Sequence, residues 1–548
     1  MKKTMKMSMK KTMKNMLSMA AAVLTATVMT ACAGSDDTIA DTPQLPENQS
    51  KTITLTTTVG LGGANGGATT RALTSGGVKT FAAGDRMAVI YKNMSGHTVK
   101  AVSEALKDGD IVRTPGDDAT DKKNATFTVT LDDPDSNAPI RYIYPAAMAK
   151  ETVAPDAAID DAGTVDLTKL NAQDGTMDSL GSALDLCTYD AANWTSGELP
   201  VGATLANQLA VLAVTVKDAG GAYDITSGIT GLTVSDGTNS YTVTRSAAAG
   251  PIYVAIRPTA NADITVTAND GLIHYEKTLA DKKTYEASNF YNVGWRMMPT
   301  KTTPLTMEAL TAGTIVVNNP RSGMQYSKNG GAKTTMTETT TIDVSAGDKV
   351  QFYGIITSYI GTSIAGGSAE VKVYGNIMSL LNETGFATKT TLYATDTYTF
   401  ANLFYENTTL TDASGLLLPA TTLADFCYQG MFDGCTSLTA APALPATTLA
   451  KYCDQSMFYG CTSLETAPAL PATTLPPSCY RQMFYNCTKL IAVTCLATDI
   501  RASGCTANWL YNAGTAAMRK GTFTTPASTV WPNGINGIPD GWTRVDAH

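Results

Sequence analysis

Histidine is scarce in this chain. Only three histidines occur among 548 residues, His97, His274 and His548. His97 lies in a turn-like segment and His274 in a strand-like one, and neither belongs to a helix-borne histidine pair. Glycine-rich phosphate loops and strained serine elbows, which mark many catalytic sites, are missing too. A carboxylate pair for glycoside hydrolysis has a three-dimensional spacing that a sequence does not reveal. The sequence therefore predicts a protein that is not an enzyme and has no cofactor.

Positive charge is also in short supply. The chain has 40 Lys and Arg against 48 Asp and Glu, for a net charge of −8 and a pI near 5.1. Nucleic-acid binding needs a concentrated basic face, so we exclude that class of partner. The acidic run at residues 132–135 could hold calcium, but calcium needs six to eight oxygen ligands. We interpret the run as an ordinary acidic loop and predict no metal site.

The first 31 residues combine a basic start, an apolar stretch over residues 16–29 and a small-residue cleavage site. This is the pattern of a secretory signal peptide, and the apolar stretch is too short for a membrane span. It ends in Met-Thr-Ala-Cys at Cys32, which resembles the lipobox of bacterial lipoproteins, with Met29 where Leu is usual. The resemblance implies that Cys32 is acylated. The alternative is a secreted protein with an incidental cysteine.

Residues 32–50 are rich in Ser, Asp, Thr and Pro and lack the apolar spacing that would bury a core. They predict a flexible, solvated tether. The stretch Gly34-Ser35-Asp36-Asp37 resembles the acidic export signal of Bacteroides-type lipoproteins. That resemblance implies a position on the cell surface, at the outer membrane, with the lipid anchor as the only contact with the membrane.

Alternating apolar and polar residues, typical of half-buried strands, recur from residue 51 to about 300. Two Asp-Gly pairs, Asp236-Gly237 and Asp270-Gly271, suit hairpin turns. The region therefore predicts β-sandwiches in a mainly β fold. The clearest alternating segments are residues 53–59, 87–91, 126–131, 140–144, 209–216 and 252–256.

The order and spacing of these segments resemble the fimbrillin (Mfa-like) family. The matching stretches are residues 80–89, 140–145 and 229–296. The resemblance implies two tandem transthyretin-like β-sandwiches, which we place at residues 51–200 and 201–300, with a boundary near Pro200. It also implies a subunit or accessory component of surface fimbriae, or a free-standing relative that kept the fold.

Arg71 follows the glycine-rich segment 60–67, which makes the loop flexible and accessible to an extracellular protease. In the resembled family a protease cuts after an arginine behind the first strand, and a strand of another subunit fills the groove. Arg71 is the candidate for such maturation, and the alternative is a solvated loop charge. The long C-terminal extension favours a tip or accessory position, because the family's shaft subunits donate their own C-terminal strand.

Residues 301–380 contain three more alternating segments, at 314–317, 349–353 and 370–374. They predict a small β-sandwich. The module resembles the spacer that precedes repeats in many Bacteroidales surface proteins.

A repeat with a period of 26 residues dominates residues 381–548. An apolar pattern locked to a fixed period predicts a solenoid, because each unit buries its inner face only against its neighbours. The pattern resembles BspA-type leucine-rich repeats, which implies α/β repeats closed by a C-terminal cap. The period is clearest in two cysteine series, Cys427, Cys453 and Cys479, and Cys435, Cys461 and Cys487.

The repeat cysteines admit three interpretations. Free Cys behaves as a small apolar residue, so a ladder of buried thiols is the first. Disulfides are the second, since an exported protein can keep them. Zinc is the third, but it needs ligands that converge on one centre, and a pair eight residues apart does not supply them. Cys487 aligns with Ala513 in the closing copy, which favours packing over pairing.

These features predict a surface adhesin, or a fimbrial tip or accessory component, that binds through its repeat domain. Its partners would be a host or bacterial surface protein or a glycan, together with fimbrial shaft subunits. The alternative is a surface glycan-binding protein of a polysaccharide-uptake system, whose platform exposed aromatic rings could provide. The predicted ligand-contact residues are Tyr428, Tyr452, Tyr459, Tyr480 and Tyr485.

Overall fold

The computed structural model describes residues 52–61, 81–112, 124–195, 197–355, 357–516 and 521–547. This part of the chain is mainly β, as predicted, and its helical segments are short. The α-helical turns are α1 (Asp161–Thr164) and α2 (Met177–Ser179), and a π-helical turn spans Leu180–Leu184. The 3₁₀ turns are Asp108–Asp110, Ala146–Met148, Leu167–Asn171, Thr226–Gly228, Ile377–Leu380 and Phe386–Thr388.

Eight strands build the first sheet. They are β1 (Thr52–Leu61), β2 (Ala88–Lys92), β3 (Thr98–Val102), β4 (Ile111–Val112), β5 (Asn124–Asp132), β6 (Ile140–Tyr144), β7 (Cys187–Ala191) and β8 (Ala203–Asn207). Their order is β3-β2-β6-β7-β8-β1-β5-β4. The sheet folds over on itself, because the backbone N–H of Glu104, just after β3, donates to the carbonyl of Thr128 in β5. Since β8 belongs to this sheet, the first sandwich extends to Asn207, past the predicted boundary near Pro200.

The core of the first sandwich is aromatic. The rings of Phe81, Phe127 and Tyr144 lie 5.0 to 6.2 Å apart between centroids. Strand β1 lies inside the sheet, antiparallel to β5 and parallel to β8. Its Val59 is fully buried, whereas Thr54 on the opposite face is exposed. The alternation of the sequence therefore predicts correctly which face of β1 is buried.

The second sandwich contains ten strands. They are β9 (Ala210–Lys217), β10 (Gly231–Ser235), β11 (Ser240–Thr244), β12 (Ile252–Ile256), β13 (Thr259–Ala262), β14 (Thr265–Asn269), β15 (His274–Thr278), β16 (Lys283–Tyr285), β17 (Phe290–Arg296) and β18 (Met298–Pro299). The sheets have the orders β11-β10-β14-β15-β18, β12-β9-β17 and β13-β16. They share a core that includes Val214, Val254 and Val266.

The next strands lie between the second sandwich and the repeats, in a region that we call the spacer. They are β19 (Thr306–Ala309), β20 (Gly313–Asn318), β21 (Gln325–Lys328), β22 (Thr334–Thr335), β23 (Thr340–Val344), β24 (Lys349–Tyr353), β25 (Ser363–Ile364) and β26 (Val371–Asn376). The sheet β22-β21-β24-β19-β26-β27 ends on β27 (Leu410–Leu417), which belongs to the repeats, and β23-β20-β25 forms the second sheet. One apolar core runs from Leu305 through the repeats to Ile538.

The repeats form stacked coils. Each coil contains one turn segment, which we number 1 to 5 for residues 398–406, 426–434, 452–460, 478–486 and 504–512. In segment 2, the N–H of Cys427 donates to the carbonyl of Ala424 in the same coil, three residues back. The N–H of Tyr428, by contrast, donates to the carbonyl of Cys453 in the next coil at 2.8 Å. This alternation continues along the segment, so half of the N–H groups close turns and half join coils.

The turns need a left-handed residue at every fourth position, as type II turns do at their third residue. Within segment 2 these are Phe426, Gly430 and Gly434, with φ of 60°, 59° and 77°. A chain that follows this path cannot be α-helical. The prediction of α/β repeats is therefore wrong in its helical part, since the described repeat residues contain no α-helix. The last strands, β28 (Ala492–Thr494), β29 (Thr522–Thr525) and β30 (Thr543–Asp546), form a parallel sheet at the end of the stack.

Candidate functional site

The turn segments fix which side chains point outward. Along each segment two residues face the core and the next two lie on the opposite side, because the turns recur every four residues. All of the latter except Ala401, Gly430 and Ser478 are at least partly exposed. We call the outward surface of the five segments the turn face. It consists of residues 397–398, 401–402, 405–406, 425–426, 429–430, 433–434, 451–452, 455–456, 459–460, 477–478, 481–482, 485–486, 503–504, 507–508 and 511–512.

The inward residues form ladders. Phe404, Phe432, Phe458 and Phe484 stack with 5.3 to 5.5 Å between successive ring centroids. Beside them, the thiol of Cys435 donates to the carbonyl of Phe404 in the preceding coil at 3.1 Å. Cys461 and Cys487 repeat this contact with Phe432 and Phe458. The cysteine series is therefore a ladder of weak hydrogen-bond donors inside the stack.

The eight cysteines in the described part of the repeats are buried and form no disulfide. Burial raises the pKa of the Cys435 and Cys487 thiols, which keeps them protonated and unreactive. We expect these cysteines to resist a thiol reagent in the native protein and to react fully, without reductant, once it is unfolded. Mass spectrometry that found Cys427 bridged to Cys435 would contradict the ladder.

Both ends of the stack are capped. At the first coil, the N–H groups of Tyr359 and Ile364 in the spacer donate to the carbonyls of Thr399 and Leu403, at 2.9 and 2.7 Å. At the last coil, the side-chain carbonyl of Asn536 accepts from the N–H of Asn508 at 2.8 Å. Trp531 also stacks on Trp509, with 5.3 Å between centroids. Capped ends leave few backbone groups free for further stacking.

Two of the five predicted ligand-contact tyrosines lie in the core. Tyr428 and Tyr480 are only 2% and 1% exposed, because each follows a buried cysteine in an inward pair. The prediction that they contact a ligand is corrected accordingly. Tyr452, Tyr459 and Tyr485 lie on the turn face and are half-buried.

The turn face also carries aromatic residues that were not predicted. They extend two columns of stacked rings, one with Tyr398, Phe426 and Tyr452, and one with Tyr459, Tyr485 and Tyr511. Neighbouring centroids lie 4.5 to 4.7 Å apart in both columns. A signal for Tyr511 was present in the sequence, since it lies one period after Tyr485. Phe426 had the same signal, since it lies one period before Tyr452, whereas Tyr398 lies outside the period of 26 and could not be recognised without the path of the turns.

One inward position breaks the aromatic pattern. Asp454 occupies the place that Tyr428 and Tyr480 hold in the neighbouring coils, and it is only 3% exposed. The thiol of Cys453 donates to Asp454 Oδ2 at 3.2 Å. The hydroxyl of Tyr428 and Asp454 Oδ1 have no hydrogen-bond partner within the described residues. Burial raises the pKa of the Asp454 carboxyl to about 7.

A cluster of buried charged side chains joins the second sandwich to the spacer. Lys372 on β26 lies 3.3 Å from Glu308 Oε1 on β19 and 3.7 Å from Asp218 Oδ2 just after β9. Lys349 makes a further ion pair across the same junction, with Asp270, at 2.7 Å. These pairs are largely excluded from solvent, so they fix the two modules against each other.

Other residues singled out from the sequence show no shared chemistry. His97 and His274 are both exposed and lie in different sandwiches. In the acidic run, Asp132 accepts from Thr52 and Asp135 accepts from the N–H of Asn137. Across the described ranges, no three His, Cys, Asp or Glu side chains converge as a metal ion requires. No helix in those ranges is long and apolar enough to cross a membrane. Cys32, Arg71 and His548 lie outside the described residues.

No protein-family model and no curated protein matches the chain. It is similar in part to solved structures from Bacteroides. A candidate cell adhesion protein from Bacteroides fragilis has 12% identity over 43% of this chain and 88% of its own, with a TM-score of 0.24. A candidate cell adhesion protein from Bacteroides uniformis has 14% identity over 44% of this chain and 94% of its own, with a TM-score of 0.23. A fimbrial protein from Bacteroides ovatus has 14% identity over 45% of this chain and 49% of its own, with a TM-score of 0.19. TM-scores of this size do not establish a shared fold.

Proposed function

We propose that the chain is a lipid-anchored adhesin of the outer membrane surface, at the tip or in an accessory position of a fimbria. It binds a partner protein or glycan through the stacked coils, which we take as leucine-rich repeats of the BspA type, and it catalyses no reaction. The observation that carries this proposal is the turn face, where the six rings of the two columns, together with Tyr405, lie on a rigid, capped scaffold. Aromatic side chains that are half-exposed on a rigid surface are typical of recognition sites.

Cys32→Ala tests the anchor. Without the acylated cysteine the protein loses its only attachment to the membrane, so the variant should move from the membrane fraction to the soluble envelope or the medium. Immunoblots of fractionated cells measure this, and Ser35→Ala, which leaves the lipobox intact, is the matched control. A Cys32→Ala variant that still sediments with membranes would contradict the lipid anchor.

Cleavage after Arg71 tests the place in a fimbria. Strand β1 lies between β5 and β8, so its release would expose two rows of unpaired backbone groups above an apolar floor. The last described strand, β30, is already paired with β29. We therefore expect the trimmed protein to accept a strand and to donate none.

The measurement is size-exclusion chromatography of trimmed protein, alone and with a peptide copying the donor strand of a shaft subunit. The trimmed protein should stay monomeric and bind the peptide, while an uncleaved Arg71→Ala protein should not bind it. Self-polymerisation would rule out the acceptor-only assignment. Failure to bind any donor peptide would leave a free-standing adhesin.

A further inference from the structure

We propose that the turn face of the coils is the adhesive surface, rather than the side that carries β27, which we call the strand side. We propose further that its partner is a folded protein rather than a glycan. This inference rests on the proposed adhesive function and specifies the surface and the class of partner. Four observations lead to it: the conformation of the aromatic residues, the arrangement of their rings, the composition of the turn face and the position of the second sandwich.

The aromatic residues of the first column occupy an unfavourable backbone conformation. Tyr398, Phe426 and Tyr452 have φ between 56° and 60°. Left-handed backbone is unfavourable for a residue with a bulky side chain. The equivalent positions in the last two coils are Ser478 and Gly504, so the turns do not require a ring. Aromatic side chains are therefore present on the turn face despite the cost, and strain of this kind concentrates at functional sites.

The ring arrangement favours a protein over a glycan, because Phe426 and Tyr485 each have a neighbouring ring on both faces. A sugar packs its C–H face on an open aromatic face. In both columns the rings are nearly parallel, with interplanar angles of 5° to 18° and centroids 4.5 to 4.7 Å apart. Each inner ring therefore has both faces covered by its neighbours. The columns present ring edges and hydroxyl groups, a surface that suits the apolar and hydrogen-bonding groups of a protein.

The composition of the turn face agrees with a protein partner. Of its thirty residues, twenty-one are Tyr, Phe, Asn, Gln, Ser or Gly, and only five are charged. Protein-binding loops of antibodies use the same residue types, because tyrosine gives rigid contact area and small polar residues give adaptable hydrogen bonds. Here the stack keeps the tyrosines rigid, which reduces the entropy that is lost on binding.

The strand side of the first coils already packs against the second sandwich. A β-carbon added at Gly220 of the second sandwich would lie 2.6 Å from Asp412 Oδ2 in β27, so the backbone of Gly220 packs closely against the Asp412 side chain. Met298 of the second sandwich lines a shared cleft with Pro442 and Pro468 of the coils. The turn face has no such neighbour in the described part of the chain, and all five segments present it to solvent.

The test uses cells that display the full-length protein on intact, trypsin-shaved or periodate-oxidised monolayers of epithelial cells and of bacterial cells. Trypsin removes surface proteins, and periodate oxidises glycans. We expect trypsin to lower adhesion about tenfold or more and periodate to change it less than about twofold. Adhesion that is lost with periodate and kept after trypsin would identify a glycan and overturn the choice of partner. If the wild type shows no adhesion to any monolayer, the adhesive function itself fails, and the inference fails with it.

Two variants locate the surface. The triple variant Tyr459→Ser, Tyr485→Ser, Tyr511→Ser removes one column and should lower adhesion about tenfold or more. Gln455→Arg places a charge between the two columns without removing a ring, and it guards against a folding defect in the triple variant. The control changes exposed apolar residues off the turn face, Tyr393→Ser, Val530→Ser and Ile535→Ser. If both turn-face variants adhere like the control, the turn face is not the adhesive surface, although adhesion itself stands.

Discussion

Lys372→Met should be among the most destabilising single substitutions in the protein. The Lys372 ammonium lies between Glu308 and Asp218, and its residue is only 5% exposed. Methionine keeps much of the side-chain volume but removes the positive charge, so two carboxylates remain in a buried junction without their partner. Breaking a buried ion pair in this way costs about 3 to 5 kcal/mol. We expect the unfolding temperature of the spacer and coils to fall by on the order of 10 °C.

The matched control for this substitution is Lys333→Met. Lys333 also pairs with a carboxylate, Glu383, at 2.7 Å, but both side chains are 34% exposed. Pairs near the surface contribute about 1 kcal/mol or less, so this variant should unfold close to the wild type. Differential scanning calorimetry compares the two. Equal, small shifts for both variants would show that the junction at Lys372 is solvated and contributes little.

Asp454→Asn should stabilise the protein at alkaline pH. The pKa of the Asp454 carboxyl is about 7 in the folded protein, against an ordinary value of 3.8. The folded state therefore holds the proton more tightly than the unfolded state does. The stability that protonation gives is fully present below about pH 4, falls as the pH rises towards 7, and is absent above it. The shift corresponds to about 4 kcal/mol.

Asparagine has the shape of the protonated acid but does not titrate. At pH 8.5 the variant should be more stable than the wild type by roughly 2 to 4 kcal/mol, and near pH 4 the two should be close. Urea unfolding at both pH values measures the difference. Asp499→Asn is the control, because Arg501 lowers the pKa of the Asp499 carboxyl to about 2 and its effect should have the opposite sign. A pH-independent difference at Asp454 would contradict a buried, titrating carboxyl.

The strands could be predicted because their alternation is a local property. Residues 53–59, 140–144 and 252–256 all lie within observed strands, and the Asp236-Gly237 pair lies in the loop between β10 and β11. The period of 26 likewise predicts which cysteines lie above one another, since Cys435, Cys461 and Cys487 make the same contact in successive coils.

The path of the coil inside each repeat could not be predicted. Aromatic residues such as Phe426 and Tyr452 give no sign of left-handed backbone, a conformation that usually indicates Gly or Asn. Without the four-residue turns, the buried Tyr428 and the half-buried Tyr459 look equivalent. The charge cluster could not be predicted from the sequence either. Its members, Asp218, Glu308 and Lys372, are far apart in sequence and meet only in the folded protein.

Site-specific photocrosslinking can show whether the turn face contacts a protein during adhesion. A benzophenone amino acid at Tyr485, in the middle of the second ring column, reports what touches the turn face during adhesion. The same probe at Tyr253, in the second sandwich, is the control. We expect a discrete, protease-sensitive adduct from position 485 and none from position 253. An adduct from position 253 alone, or an adduct at 485 that periodate destroys and protease spares, would contradict recognition of a protein by the turn face.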